Sequence, residues 1–129
     1  MKIVIAGPPK VGKTTLANHL GVELGIPVMH TDDWVGIQDW SGGSLHMANR
    51  LEESGPFIIE GVTAVRGLRK FISRNAKNNK KPCDIVYYRS NPYQAYSSEG
   101  QASMAMGIHT IWSDIRTDLM NLGVEIREF

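Results

Sequence analysis

Residues 3–15 read Ile3-Val4-Ile5-Ala6-Gly7-Pro8-Pro9-Lys10-Val11-Gly12-Lys13-Thr14-Thr15, and Leu16-Ala17-Asn18-His19-Leu20 follow directly. Gly7 to Thr14 fits G-x-x-x-x-G-K-[ST], the phosphate-binding loop, and it lies where such a loop has to lie, between an apolar strand-like run and a helix-like one. A polyphosphate needs backbone N–H groups that can close around it and a helix N-terminus whose dipole favours anions. Gly7 and Gly12 permit the close approach, and Pro8, Pro9, Lys10, Val11 and Thr15 complete the loop's contact with phosphate. Lys13 supplies a point charge for the β- and γ-phosphates, and the Thr14 hydroxyl is the expected inner ligand of Mg²⁺. The competing reading is a Gly-Pro turn followed by a helix that happens to start Gly-Lys-Thr. The strand, motif and helix in register argue against it.

The rest of the chain bounds what can surround this loop. A length of 129 residues suits one domain with a real core. A formal charge of +1 with 21% charged residues provides no strong field for nucleic acid or membrane. Basic residues do gather between Arg66 and Lys81, which reads as the solvated face and end of a helix. The single cysteine, Cys83, cannot form an internal disulfide and sits beside Ile85 and Val86, so a buried structural thiol in a reducing compartment is expected. The apolar start is too short for a signal peptide, and no run is long enough to span a bilayer, so a soluble cytoplasmic protein is expected.

Beyond the loop, Leu16, Leu20 and Leu24 repeat at helical spacing until Gly25 and Pro27. Residues 27–31 read as a second strand ending in Asp32-Asp33-Trp34, a polar step at the carboxyl end of a strand, where open α/β sheets bind ligands. Extended geometry there would send Asp32 and Asp33 to opposite sides. Gly36 to Gly43 reads as a loop anchored by Trp40, and 45–54 as a helix. Residues 57–59 form a third strand ending in Glu60-Gly61, 65–77 a helix, and 84–88 a fourth strand leading to Arg89. Residues 90–103 carry loop chemistry. Met104, Ile108, Ile111, Ile115, Leu119 and Leu122 mark the clearest amphipathic helix, followed by a last strand from Val124. Alternating strands and helices predict an α/β fold with three layers, a five-stranded parallel sheet covered by helices on both faces.

On the loop, Thr31-Asp32-Asp33-Trp34 and Phe57-Ile58-Ile59-Glu60-Gly61, the chain resembles the compact P-loop kinases of the nucleoside and nucleoside-monophosphate kinase group, including adenylate-kinase-like, uridine-kinase-like and nicotinamide-riboside-kinase-like members. The resemblance implies a strand order of 2-3-1-4-5, ATP as donor, Mg²⁺ as cofactor and a small acceptor, most plausibly a nucleoside or nucleoside monophosphate. It implies further that Asp32 contacts the acceptor hydroxyl and that Glu60 helps hold the magnesium shell. Phosphoryl transfer has independent need of such groups: fixed phosphates, a metal to spread charge, and a carboxylate to orient or deprotonate the attacking hydroxyl. Turn capping competes with these roles for Asp32, Asp33 and Glu60.

The family's lid brings arginines onto the transferring phosphates. Here the segment after the fourth strand has Arg89 at its start and no further arginine until Arg116. Arg89 is therefore the catalytic candidate beside Lys13 and Asp32, and Arg66 and Arg69, one helical turn apart, are acceptor-binding candidates with Asp33 and Trp34. Solvated helix charges and core packing are the competing readings. Tyr93 and Tyr96 could stack on a base. His19, His30, His46 and His109 show no metal-ligand spacing and read as ordinary. Two other functions stay open: a regulatory P-loop protein that binds nucleotide without transfer, favoured by the poor lid, and a GTPase-type switch. Asp33-Trp34-Val35-Gly36 fits D-x-x-G, but Asn79-Lys80-Lys81 is followed by Pro82 where N-K-x-D needs its carboxylate.

Overall fold

The computed structural model describes residues 1–35, 40–92 and 94–129, and of Val35, Trp40 and Ser41 the backbone alone. The expectations for the Trp40 side chain, for Gly36 and for Tyr93 lie outside the described residues. Five strands, β1 (Lys2–Ala6), β2 (Val28–His30), β3 (Phe57–Glu60), β4 (Ile85–Tyr88) and β5 (Glu125–Glu128), form one sheet in the order β2-β3-β1-β4-β5. All four pairings are parallel. This is the order expected from the resemblance.

β1 is central because every residue from Ile3 to Ala6 is apolar, and each is at most 1% exposed. Side chains alternate along it. Ile3 and Ile5 join Ile58 and Ile85 under α1 (Lys13–Leu24), while Val4 and Ala6 join Ile59 and Val86 against the opposite helix layer. That layer consists of α3 (Trp40–Leu51), α4 (Ala64–Arg74) and α5 (Glu99–Asn121). Burying each Ile or Leu contributes roughly 1.5–3 kcal/mol, so this double-sided core dominates the stability. Helices therefore lie on both faces, but unequally. Beyond α1, the sheet's α1 face at β4 and β5 carries Tyr87, Glu125 and Arg127 instead of a helix. Arg127 donates to the Tyr87 hydroxyl at 3.0 Å and pairs with Glu125 at 2.7 Å, which keeps that half-face polar.

Several boundaries differ from the sequence expectation, α3 ending at Leu51 and α4 at Arg74 among them, and three others bear more on the site. β2 stops at His30, and residues 32–35 turn into a short helix, α2 (Asp32–Val35). Asp32 and Asp33 therefore sit in a first helical turn, where carboxylates favour the dipole, and strand alternation does not govern them. α3 begins at Trp40, so residues 40–43 are helical where a loop was expected. α5 begins at Glu99, five residues before Met104, because Ser98 caps it: its hydroxyl accepts from Gln101 N at 3.2 Å. The Gln101 side chain reaches back to Ser97 N at 2.8 Å, a variant of the reciprocal S-x-x-Q capping box. Cys83 is buried in the core as expected, and burial pushes its thiol well above the ordinary range, which makes it a poor nucleophile.

The topology fixes where a ligand can enter. β1 leads through α1 on one face, and its neighbour β3 leads through α4 on the other. The crevice between their carboxyl ends is the sheet's switch point. Gly61 N donates to Ile5 O at 3.3 Å there, and the Gly7 loop and the Glu60-Gly61 step meet at that crevice.

Candidate functional site

The loop is seated by its first glycine. Gly7 has φ +145, and a Cβ on it would stand 2.6 Å from the Arg89 carbonyl, so the loop lies directly against the end of β4. Six residues later α1 starts at Lys13 behind Gly12, with no side-chain cap on its N-terminal amides. An unfilled helix N-terminus of this kind is a ready anion site. Lys13 is only 8% exposed, and its ammonium donates to the Pro8 carbonyl at 2.6 Å inside the loop. Burial pulls it down from 10.5 to about 8, while the Glu60 and Asp32 carboxylates pull it back up.

From β3, Glu60 enters the same space. It is 4% exposed, and its Oε1 accepts the Thr14 hydroxyl at 3.2 Å and lies 2.5 Å from His30 Nδ1. The strand register that puts His30 opposite Glu60 makes this contact possible. His30 is thus part of the site, where the sequence suggested an ordinary histidine. The register that sets the last residue of β2 against the last of β3 was the missing signal. Gly61 follows with φ +149, and a Cβ on it would fall 1.7 Å from Thr31 Oγ1. Only glycine lets the chain leave β3 this close to the end of β2.

Between these groups lies a cavity of ≈ 370 Å³ that brings together Lys10, Lys13, Thr14, Asp32, Glu60 and Gln101. Pro9, Gly12 and Thr15 of the loop line it as well. Gln101 is a residue that sequence reasoning missed, because its helix was expected to start later; the S-x-x-Q spacing could have revealed it. Other candidates lie elsewhere. Asp33 is exposed and does not line the cavity. Trp34 packs against the core and its ring sits 4.6 Å from that of His46. Arg66 is half-buried on α4 beside Gly107 of α5, and Arg69 is exposed. Burial and the neighbouring Arg69 both lower the Arg66 guanidinium. Arg89 does not line this cavity: its Nε donates to Asn91 O at 2.8 Å. With Tyr88, Glu128 and Phe129 it lines a neighbouring cavity, also ≈ 370 Å³, at the ends of β4 and β5.

The donor set suits magnesium. Mg²⁺ takes one or two protein oxygens and completes its octahedron with phosphate and water, and Thr14 Oγ1, Glu60 Oε1 and the Asp32 carboxylate supply hard oxygen at one cavity. No group of three or more His, Cys, Asp or Glu among the described residues forms a metal cage of its own. Among the same residues no helix is long and apolar enough to cross a membrane.

The fold has known counterparts. It is shared with solved shikimate kinases. One from Acinetobacter baumannii, in complex with shikimate, aligns with a TM-score of 0.60 at 15% identity, covering 98% of this chain and 81% of that one. One from Bacteroides thetaiotaomicron aligns with a TM-score of 0.50 at 11% identity, covering 98% and 83%. No protein-family model matches the chain, and no curated protein sequence matches it either. The likeness is therefore one of architecture, and chemistry has to be argued from this chain's own residues.

Proposed function

We propose that the protein is an ATP- and Mg²⁺-dependent phosphotransferase acting on a small hydroxylated acceptor that carries an anionic group. The observation that carries this reading is the cavity in which Lys13, Thr14, Asp32 and Glu60 converge at the switch point of the sheet. The triphosphate would wrap into the Gly7–Thr15 loop, with inner phosphates on the backbone amides and the α1 N-terminus. Its nucleoside would extend toward the cavity at Arg89 and Phe129, since the Arg89 backbone abuts Gly7. Thr14 and Glu60 would hold Mg²⁺, which would spread the charge that develops on the phosphates.

The acceptor would enter on the β2–β3 side, where Asp32 meets its hydroxyl. As the acceptor oxygen bonds to the γ-phosphorus, the bond to the β–γ bridging oxygen breaks, ADP leaves, and the hydroxyl proton passes to Asp32. Lys13 compensates charge on the phosphates throughout. Arg66, half-buried and with no ion pair among the described residues, suits a carboxylate or phosphate on the acceptor, with Arg69 and the Asp33–Trp34 turn as flanking groups. Nucleoside monophosphates meet this description, and so do hydroxylated carboxylic acids such as the shikimate bound by the Acinetobacter enzyme.

A panel of nucleosides, nucleoside monophosphates, shikimate and other hydroxy acids, assayed with γ-labelled ATP and Mg²⁺, tests the proposal. Transfer to at least one anionic acceptor is expected, and Asp32→Asn should lower kcat by roughly 10²–10⁴ while leaving ATP affinity within about twofold. ATP binding with no transfer across the panel would favour a regulatory nucleotide-binding protein, and full activity of Asp32→Asn would remove the base from Asp32.

A further inference from the structure

Lys10 does not suit its own backbone. Its φ is 63, a left-handed conformation that glycine adopts freely and an L side chain resists. The other described non-glycine residue with positive φ is Asn79, a type that tolerates this region and lies in a turn far from the loop in sequence. Strain of this sort is retained where the side chain has a task. The Lys10 side chain is half-buried and lines the phosphate cavity. It has no ion pair among the described residues.

The charges of that cavity show what the task is. Among the described residues no arginine lines it, and without Lys10 its side chains would leave Lys13 alone against Asp32 and Glu60, a net negative setting for a polyanion. Lys10 restores the balance before any metal enters. The loop amides and the α1 N-terminus close on inner phosphates, so a cation that opens into the same cavity as Asp32 is directed at the outer one. We infer that Lys10 is a second phosphate-binding cation, supplied from within the loop, that contacts the terminal phosphate of a bound nucleoside triphosphate. This rests on reading the cavity as a nucleotide site. It adds a distinct consequence: the loop gives up stability at residue 10 in exchange for preference of triphosphate over diphosphate.

The test compares wild type, Lys10→Gly, Lys10→Met and Lys10→Arg in the full chain, by calorimetric titration with ATP and with ADP and by thermal melts without nucleotide. Lys10→Gly relieves the backbone and should melt higher by roughly 3–5 °C. It should nonetheless lose about tenfold in ATP affinity, with ADP affinity changed less than about twofold. Lys10→Met keeps the strain, so it should show the same selective loss with no gain in melting temperature. Lys10→Arg should retain the preference for ATP. If wild type prefers ATP and Lys10→Met keeps that preference, or loses ATP and ADP equally, the inference about Lys10 is overturned while the nucleotide site stands. A wild type that binds neither nucleotide overturns both.

Discussion

Lys13→Met should make the protein more stable at neutral pH, although it removes a hydrogen bond. The reason is the cost of holding an ammonium in the loop, which burial expresses by drawing Lys13 from 10.5 to about 8 against the opposing carboxylates of Glu60 and Asp32. Between those two values the unfolded chain binds more protons than the folded one. The unfolding free energy therefore rises with pH from about 8 to 10.5, and below that window the full cost is present. At ~1.36 kcal/mol per pKa unit the recovery across the window is about 3 kcal/mol. Methionine never carries the cost, but it leaves the Pro8 carbonyl without its 2.6 Å donor, a loss of about 1 kcal/mol. The variant should lead by about 2 kcal/mol at pH 7, and wild type should draw level between about pH 9 and 10. Urea unfolding midpoints for both proteins across pH 7 to 10 measure this, since other titrating groups cancel in the difference. A variant less stable than wild type at pH 7, or a gap that does not narrow with pH, refutes the reasoning.

Nucleotide binding should also take up a proton at Lys13. A polyphosphate in the loop supplies the anion that favours the charged lysine and returns its titration to the ordinary range. At pH 9 the free protein holds little of that proton and the complex nearly all of it, so roughly 0.9 proton should be taken up per nucleotide bound. Calorimetric titration with ADP and chelator, in buffers of different ionisation enthalpy, reads the number directly. Uptake near zero would mean that the phosphates do not meet Lys13.

Other perturbations isolate other parts of the site. Gly61→Ala forces a Cβ onto Thr31 Oγ1 and a left-handed φ onto alanine, and should lower the melting temperature by roughly 10 °C. Thr31→Ala in the same chain should restore part of that, because the hydroxyl struck by the new Cβ has no hydrogen-bond partner among the described residues. Glu60→Gln should leave nucleotide binding in chelator intact and abolish its enhancement by Mg²⁺. Equal enhancement in both proteins would take Glu60 out of the metal shell.

How much of this was legible depended on the range of the signal. The loop and its flanking strand and helix are local, so the order of strand, glycine loop and helix was legible from the pattern of residues 2–24. The stripe Ile108, Ile111, Ile115 and Leu119 is likewise local, and all four are buried. Boundaries were lost where polar side chains act on the backbone. Ser98 and Gln101 start α5 within a run that looks like loop, and Asp32 and Asp33 close a helical turn in place of extending β2. Long-range pairings were beyond the sequence. Nothing near His30 announces Glu60, thirty residues away, and nothing near Arg89 says that its guanidinium turns to Asn91.

Several exceptions to good local chemistry meet at one edge of the sheet. Among the described residues a buried ammonium, a left-handed lysine, an uncapped helix start and the orphaned Thr31 hydroxyl all fall around the crevice between β1 and β3 and the adjoining end of β2. Elsewhere α5 has its capping box, β5 its ion pair and the core strands their alternation, while the remaining exceptions among the described residues are scattered: Asn79 with φ 49, an uncapped α4 start, and the unpartnered Arg50 Nε and Thr63 Oγ1. A defect that arose from drift would have no reason to share a sign with its neighbours. Three of these four are relieved by one kind of ligand, since an anion offers a counter-charge to Lys13, a contact for Lys10 and acceptors for the free amides of α1. Only Thr31 gains nothing, and its hydroxyl is instead the cost of bringing Gly61 and Glu60 close enough to β2 for His30 to hold the carboxylate. The instabilities of the fold thus point to a phosphate on one side and to a positioned Glu60 on the other, which fits the proposed site, where a metal held by Glu60 would act on the phosphates in the loop.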